Sequence, residues 1–251
     1  MTISELLNKS AQLLKDGGID FSDLDTELII AHVLEKDRAY ILAHGSDEID
    51  TKIERAINLL IEKRSARMPL AYLLGHKEFY GTDFLVNKYT LIPRSETELL
   101  VQSVVNYCKE HPEKQSIVEL GIGSGCVLLS ILKACPQLKY VMAIEFVKRA
   151  IEVAKKNAER MGLLDRITFK RSNMWQQLTN ENQYDIVAAN LPYLSAWELA
   201  TARIECPELA YEPQIALLGG TDGLLFFEKL FQRVHRQLRP DGTNYLEIGA
   251  N

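Results

Sequence analysis

The sequence has few cysteines, and they are widely spaced. Four occur in 251 residues, at Cys108, Cys126, Cys135 and Cys206, and none belongs to a CxxC pair. Structural zinc sites and disulfide frameworks depend on such clustering, so the sequence disfavours both. We expect the four cysteines to be small, buried apolar residues in a reducing cytosol, and we expect no metal site.

Long hydrophobic runs are missing as well. No stretch of about 18 uncharged apolar residues occurs, so no transmembrane helix is predicted. The first residues, MTISELLNKSAQLL, have neither the basic start nor the apolar core of a signal peptide. These features favour a cytoplasmic protein without a membrane partner.

Basic residues are outnumbered by acidic ones. The chain has 29 Lys and Arg against 34 Asp and Glu, a formal net charge of −5 at pH 7. Because binding to duplex nucleic acid relies on a basic face that neutralises phosphates, this balance disfavours a nucleic-acid partner, although it does not exclude a local basic patch. The composition is that of a globular protein, with 47% hydrophobic and 25% charged residues, and the length fits one large domain plus a smaller appendage.

The first 75 residues show helical periodicity and no strand pattern. Apolar residues recur at helical spacing from Ile3 to Leu14, from Ser22 to Leu34 and from Thr51 to Arg67. Met68-Pro69 interrupts the third helix. We therefore predict a small helical bundle over residues 1–75.

The pattern changes between residues 76 and 94. Aromatic and β-branched residues, interrupted by Gly81 and Asn87, predict two short extended segments joined by a turn, and we assign this stretch to a β-hairpin linker. Ser95 and Glu98 follow with the Ser-x-x-Glu spacing of a capping box, which predicts the start of a helix.

After Pro112, strand and helix patterns alternate. Short apolar strands separated by helices indicate an α/β fold with a doubly wound, mostly parallel sheet over residues 95–251. The expected strands are Ser116–Leu120, Tyr140–Glu145, Ile167–Lys170, Ile186–Ala189 and Tyr245–Ile248, and the expected helices are Val127–Ala134, Val147–Met161 and Gly223–Leu238.

Three glycines at alternate positions follow the first of these strands. Gly121, Gly123 and Gly125 lead into a helix, and glycine allows a ligand to approach the free N–H groups at a helix start. Glu145 ends the second strand, 20 residues beyond Gly125, where a ligand with a ribose requires a carboxylate. The third glycine of a GxGxxG motif is missing, which favours a ligand without phosphates. A tight turn without a ligand is the alternative interpretation of the glycines alone.

This glycine turn between two acidic residues resembles the cofactor site of class I S-adenosylmethionine-dependent methyltransferases. The resemblance implies a Rossmann-like class I methyltransferase fold, with the turn facing the methionine end of the cofactor and Glu145 binding the ribose hydroxyls. Adenine would lie against the end of the third strand, where Asn173 stands in place of the more usual Asp and its amide can still bond the adenine edge. The implied cofactor-binding residues are Glu119, Gly121, Ile122, Gly123, Ser124, Gly125, Glu145, Asn173, Met174, Trp175 and Asn190.

A second chemical motif ends the fourth strand. Methylation of an amide or exocyclic amine requires acceptors that hold both hydrogens of the nitrogen and turn its lone pair toward the methyl group. The side-chain oxygen of Asn190 and the backbone carbonyl of Pro192 can supply two acceptors, and Tyr193 offers a flat face for a planar group. An in-line displacement needs positioning rather than a metal or a strong base. A simple strand-ending turn is the alternative, because Asn and Pro are common turn residues.

Asn190-Leu191-Pro192-Tyr193 resembles the Asn-Pro-Pro-Tyr signature of methyltransferases that act on planar nitrogens, with Leu191 in place of the first proline. Asn-Leu-Pro-Tyr itself is typical of ribosomal RNA adenine dimethylases. The motif alone therefore leaves glutamine and adenine open as acceptors. By this resemblance Asn190, Pro192 and Tyr193 would be catalytic, and Leu191 and Arg94 would join them in binding the substrate.

Three further stretches resemble the protein-glutamine N5-methyltransferases, and in particular those that modify peptide-chain release factors. These stretches are Gly75–Gly81, Leu91–Glu98 and Glu212–Gly223. Ser95 departs from the usual Pro-Arg-Pro-Glu-Thr-Glu motif and matches the related ribosomal-protein glutamine methyltransferases. Glu96 and Glu98 favour the release-factor enzymes.

The resemblance implies methyl transfer from S-adenosylmethionine to the glutamine of the Gly-Gly-Gln motif in class I peptide-chain release factors, with residues 1–75 as a substrate-docking domain. Arg94 would then be either a substrate contact or an ion-pair partner of Glu96 or Glu98. Three other functions stay open, namely a ribosomal-protein glutamine methyltransferase, an RNA or DNA adenine N6-methyltransferase, and a cofactor-binding module without catalysis.

Related methyltransferases continue beyond the fifth strand with a helix and two more strands, one of them antiparallel. Because the sequence stops at Asn251, we expect these C-terminal strands to be missing. The fifth strand would then have a bare edge, which would lower stability or promote self-association.

Overall fold

A computed structural model describes residues 1–178 and 183–249. The chain divides into two compact units, Met1–Gly75 and His76–Asn251, so the hairpin segment lies in the second unit. None of the helices in the described ranges combines the length and the apolar character that a membrane crossing requires.

The first unit is built from helices. They are α1 (Ile3–Asp16), α2 (Ser22–Leu34), α3 (Arg38–Ala43), α4 (Thr51–Ser65) and α5 (Leu70–Leu74). A capping box between Thr2 and Glu5 starts α1. The short helices α3 and α5 were not predicted, because five or six residues are too few for a periodic pattern. Pro69, expected as a break, directly precedes α5 as its N-cap.

The core of the first unit forms where the apolar faces of these helices meet. Leu6, Ile30 and Ile57 are fully buried there. Arg64 on α4 and Asp25 on α2 form an ion pair at 2.6 Å with little exposure of either side chain. The α2–α4 contact is therefore both apolar and charged.

The second unit begins with a two-stranded antiparallel hairpin, β1 (His76–Phe79) and β2 (Thr82–Leu85). The two residues between the strands, Tyr80 and Gly81, have φ values of 49° and 66°. Such positive values are typical of the tight turns that match the twist of a hairpin.

A five-stranded parallel sheet forms the centre of the second unit, in the order β5-β4-β3-β6-β7. The strands and main helices are α6 (Glu98–Glu110), β3 (Ser116–Leu120), α7 (Cys126–Ala134), β4 (Tyr140–Glu145), α8 (Lys148–Arg160), β5 (Ile167–Arg171), β6 (Tyr184–Asn190), α9 (Ala196–Glu205), α10 (Leu225–Phe231), α11 (Val234–Gln237) and β7 (Leu238–Glu247). The expected doubly wound α/β fold is confirmed.

Successive residues of each strand enter two different cores, one on each face of the sheet. Ile117 and Ile186 pack on the side of α6 and α7, whereas Val118 and Val187 pack on the side of α10 and α11. Both faces of the central strands are therefore buried, which explains why their sequences are continuously apolar.

The last helix and strand differ from the prediction. Instead of one helix over Gly223–Leu238, the chain forms α10 and α11, separated at Arg233, whose guanidinium donates to the carbonyls of Trp175 and Leu178. The strand β7 begins seven residues earlier than expected, at Leu238, because that residue pairs with Tyr184 before an irregularity in the register.

The predicted capping box at Ser95 and Glu98 is wrong. The N-cap of α6 is Thr97, and no side chain caps this helix. The Glu98 carboxylate instead accepts a hydrogen bond from the backbone N–H of Tyr80 at 3.0 Å, so it ties α6 to the hairpin turn.

All four cysteines are free. Cys108 and Cys135 are buried as expected, and Cys126 is half-buried. Cys206 is exposed, contrary to the prediction, because it lies in the connection that follows α9.

Candidate active site

The glycine turn at the end of β3 has the conformation that glycine alone adopts readily. Gly121, Gly123 and Gly125 have φ values of 75°, 55° and 87°. Gly125 is also the N-cap of α7, and a Cβ there would lie 3.0 Å from a methyl carbon of Leu129. The turn therefore requires glycine at these positions for its backbone shape.

Glu145, at the end of β4, holds this turn in place. One carboxylate oxygen accepts a hydrogen bond from the N–H of Gly123 at 3.1 Å, and the other accepts one from the N–H of Val147 at 2.8 Å. Burial raises the pKa of Glu145, and these backbone bonds lower it by less. A half-buried carboxylate thus lies on the ligand side of the turn.

Glu119 lies on β3 immediately before the turn and is 2% exposed. Its carboxylate accepts a hydrogen bond from the N–H of Leu128 at 3.0 Å. Burial raises the pKa of Glu119 well above its usual value, and the nearby Glu145 raises it further. Two carboxylates in one apolar setting favour a ligand with positive charge.

A large cavity opens at the carboxyl ends of β3, β4 and β6. The predicted site residues on its wall are Arg94, Glu119, Gly121, Ile122, Gly123, Ser124, Glu145, Asn173, Met174, Asn190, Leu191 and Pro192. Ligands of open α/β sheets bind at this location, where the strand order reverses between β3 and its two neighbours.

Three predicted residues do not line this large cavity. Gly125 supports the backbone behind it, and Tyr193 lines a smaller pocket next to it. Trp175 is 2% exposed, and its ring N–H donates to the carbonyl of Leu230, so its side chain belongs to the core. The expected cofactor contact of Trp175 is therefore not made by a side chain on the cavity wall, and the neighbouring Met174, with a φ of 51°, lines the cavity instead.

The smaller pocket shares part of its wall with the large cavity. Arg94, Asn190, Leu191 and Pro192 line both spaces, and Tyr193 lines the smaller one. A group bound in the small pocket therefore meets a ligand in the large cavity at the Asn190–Pro192 turn.

Leu191 has a structural reason to be apolar. It is 3% exposed, and a Cβ added to Gly121 would lie 3.7 Å from its side chain and from the carbonyl of Asn190. The glycine turn and the Asn-Leu-Pro-Tyr turn therefore pack against each other.

Arg94 has a different ion-pair partner from those expected. Its guanidinium bonds Glu212, whose side chain is 2% exposed, instead of Glu96 or Glu98. The second oxygen of Glu212 accepts from the N–H of Ile92 at 3.0 Å. Arg94 is thus held by the Glu212 loop while it also lines both cavities.

Sequence reasoning missed three polar residues around the motif. The Asn190 amide nitrogen donates to the Thr97 hydroxyl at 3.2 Å, and Glu247 is the register partner of Asn190 on β7. Glu247 stands at the carboxyl end of a parallel strand, a position that could have identified it. Thr97 and Glu212 lie in two of the stretches that carry the family resemblance, but nothing in those stretches assigned either residue a role in the site. In the described ranges, no group of three or more His, Cys, Asp or Glu side chains is arranged to hold a metal ion.

The chain matches two family models and several known proteins. Residues 5–75 match the PrmC N-terminal domain, and residues 95–205 match the Methyltransferase small domain. A bifunctional methyltransferase of Rickettsia bellii is 33% identical over 273 residues, which cover 99% of this chain and 48% of that protein. The chain thus spans about half the length of such relatives.

A solved S-adenosylmethionine-dependent methyltransferase from Agrobacterium tumefaciens has a TM-score of 0.48 and 15% identity, covering 70% of this chain and 52% of that one.

A shorter relative aligns over most of both proteins. The release factor glutamine methyltransferase of Geobacter sulfurreducens is 31% identical over 248 residues, which cover 99% of this chain and 84% of that protein. With this similarity from its helical unit to its last strand, the chain belongs to the release factor glutamine methyltransferase family.

Proposed function

We propose that this protein methylates the side-chain amide nitrogen of the glutamine in the Gly-Gly-Gln motif of class I peptide-chain release factors, with S-adenosylmethionine as methyl donor. One observation carries the proposal. The large cavity and the small pocket meet at Asn190, Leu191 and Pro192, so a planar amide in the pocket lies next to a ligand in the cavity.

The cavity fits the proposed cofactor in shape and charge. The positive φ values at the glycine turn leave backbone uncovered by side chains, and the Glu145 carboxylate can accept ribose hydroxyls. Glu119 and Glu145 put two carboxyl groups on the wall, where the positive charge of the bound cofactor would favour their ionised forms, and Asn173 and Met174 also line the cavity. Bound there, S-adenosylmethionine supplies an electrophilic methyl group on its sulfonium.

The acceptor turn fits a carboxamide. Because the Asn190 amide nitrogen is already bonded to Thr97, its side-chain oxygen is left to accept one hydrogen of the substrate amide. The Pro192 carbonyl can accept the other, and the Tyr193 ring packs beside the pocket, where a Cβ on Gly249 would lie 3.1 Å from it. Two acceptors fix the plane of the amide, and catalysis follows from its position.

The helical unit is the proposed docking domain for the release factor. Around the α1–α2 connection three apolar side chains are solvent-accessible, with Leu13 44%, Phe21 72% and Leu24 38% exposed. We expect Phe21→Ser to raise the KM for the release factor several-fold at unchanged kcat. Leu59→Ser, at a 52% exposed position of α4, is the matched control.

Mass spectrometry of a purified release factor incubated with the protein and S-adenosylmethionine tests the activity. We expect one added methyl group on the Gly-Gly-Gln glutamine, and none on a release factor in which that glutamine is alanine. Ribosomal RNA and ribosomal proteins serve as parallel substrates. Methylation of adenine or of a ribosomal-protein glutamine, with an unmodified release factor, would contradict the proposal.

Two variants test the assigned roles. Asn190→Ala should lower turnover at least a hundredfold while cofactor affinity stays within twofold, whereas Asn106→Ala, at an exposed position of α6, should leave both unchanged. Glu145→Ala should weaken cofactor binding at least tenfold by calorimetry, and Glu152→Ala on the exposed face of α8 is its control.

A further inference from the structure

The orientation of the Asn190 side chain depends on its surroundings. The oxygen and nitrogen ends of an asparagine amide have nearly the same shape, so only the hydrogen-bond partners decide which end faces the cavity. The nitrogen end donates to the hydroxyl of Thr97 at 3.2 Å. A hydroxyl can also donate, so Thr97 alone does not fix the orientation.

Glu247 is the nearby group that, when ionised, can only accept hydrogen bonds. It is the register partner of Asn190 across the parallel pair β6–β7 and lines the small pocket. Burial raises the pKa of its carboxyl group, whereas the nearby Thr97 and Asn190 side chains lower it, as donors to a carboxylate do. An ionised carboxylate only accepts hydrogen bonds, so from Thr97 and Asn190 it can take only the hydroxyl hydrogen and the amide nitrogen end.

We propose that Glu247 is a positioning residue which, with Thr97, locks the amide nitrogen of Asn190 away from the substrate and presents its oxygen to the reacting amide. The inference rests on the proposed glutamine methylation. It assigns the end of β7 to the acceptor site, where Glu247 acts through Asn190.

The groups around Glu247 make the orientation of the Asn190 amide sensitive to pH. Burial raises the pKa of Glu247, and the neighbouring Thr97 and Asn190 side chains lower it by less; Glu96 raises it further, and Arg94 lowers it. Tyr193 also faces the group, and the pKa of that phenol is raised by burial first and by Glu247 second. One Glu247 oxygen, Oε2, is buried without a hydrogen-bond partner, which leaves the ionised form incompletely compensated.

Protonation would turn Glu247 into a donor that can bond the oxygen of Asn190. The oxygen of the Asn190 carboxamide would then no longer be directed toward the substrate. The rate should therefore be highest when Glu247 is ionised and should fall as the pH drops through its raised pKa.

Kinetics of variants test the lock. Glu247→Gln replaces an acceptor with a group that also donates, and we expect kcat to fall at least tenfold with cofactor affinity within twofold and with loss of the acid limb of the pH profile. Thr97→Val should also lower kcat at unchanged cofactor affinity but keep the acid limb, because Glu247 still titrates, and Thr97→Ser should retain most activity. Glu110→Gln on the exposed end of α6 is the matched control. Melting temperatures identify variants that fail to fold.

Nuclear magnetic resonance gives a readout that does not depend on activity. The side-chain NH2 signals of Asn190 should shift with pH in the wild-type protein at the titration of Glu247, and the shift should be lost in Glu247→Gln. Signals that titrate identically in both proteins would overturn the inference, as would normal turnover and an unchanged pH profile of the variant. Wild-type protein without glutamine methylation would contradict the proposed function, and the titration would still decide the lock.

Discussion

The side chain of Asn157 on α8 pairs with the backbone of Leu85 at the end of the hairpin as a neighbouring strand would. The Leu85 N–H donates to its oxygen at 2.8 Å, and its nitrogen donates to the Leu85 carbonyl at 3.0 Å. The same nitrogen donates to the carbonyl of Ser124 at 2.8 Å. One buried amide therefore connects the hairpin, α8 and the glycine turn.

Asn157→Ala should lower the free energy of unfolding by about 3 kcal/mol, because one buried and two half-buried backbone groups lose their partner. It should also weaken cofactor binding, since the Ser124 carbonyl is no longer held. Urea denaturation and calorimetry measure the two effects. Asn106→Ala is the control, and equal stability of both variants would argue against this role for Asn157.

Gly219→Ala should impair catalysis without affecting the cofactor. A Cβ at this position would lie 2.6 Å from the carbonyl oxygens of Pro192 and Gly223, so the Pro192 carbonyl must move. We expect kcat to fall roughly tenfold to a hundredfold, with cofactor affinity within twofold. Gly162→Ala, where a Cβ meets nothing within 4 Å but φ is 67°, should lose about 1 kcal/mol of stability and no activity. Comparable kcat values for the two variants would contradict the steric argument.

Glu119→Gln should stabilise the ligand-free protein and weaken cofactor binding. Burial raises the pKa of Glu119, so the folded state holds its proton more tightly than the unfolded chain. Wild-type stability should therefore decrease as the pH rises above about 4.3, the usual glutamate value, through the raised pKa. Glu119→Gln has no ionisable group at this position, so its stability should not decrease with pH for this reason. We expect it to be about 1 kcal/mol more stable at pH 8, with no difference at low pH.

Denaturation curves measured from pH 4 to pH 8 check this prediction for Glu119. If the difference in unfolding free energy between the wild-type protein and Glu119→Gln stays constant with pH, the titration of Glu119 is not the cause of that difference.

Arg94 and Glu212 should be tested together, because the Glu212 carboxylate is buried. Arg94→Met leaves that carboxylate unpaired and should cost about 3 kcal/mol, with loss of activity. In the double variant with Glu212→Gln, no charge is left unpaired, so we expect at least half of the stability and most of the activity to return. Restored stability without restored activity would instead identify Arg94 as a direct substrate contact.

The central part of the fold could be predicted because its signals are local. The strands Ser116–Leu120 and Tyr140–Glu145 occur at the predicted positions, since each is a short apolar run between turn residues. The start of β7 could not be found in this way. Pro240, Asp241 and Gly242 are typical of a turn, yet they form part of an irregular strand because Leu238 and Thr243 both pair with β6.

The candidate site likewise contains residues that local sequence motifs identify and residues that only the tertiary structure reveals. The glycine turn and Asn190 stand in contiguous motifs, so the sequence identifies them directly. The partners of those residues come from distant segments: Thr97 from the start of α6, Glu212 from a loop and Asn157 from α8. Such pairings are set by tertiary packing, which no spacing rule for a single segment describes.

The order of strands in the sheet separates the side proposed to bind the methyl donor from the side proposed to bind the acceptor. Apart from Asn190, which lines both spaces, the residues proposed for the cofactor lie at the ends of β3, β4 and β5, whereas the proposed acceptor turn and Glu247 lie at the ends of β6 and β7, on the other side of β3. Mutations on the β6–β7 side can therefore alter what is methylated while the methyl donor stays the same. Substitutions confined to the ends of β6 and β7 are therefore the direct way to change the acceptor without rebuilding the glycine turn.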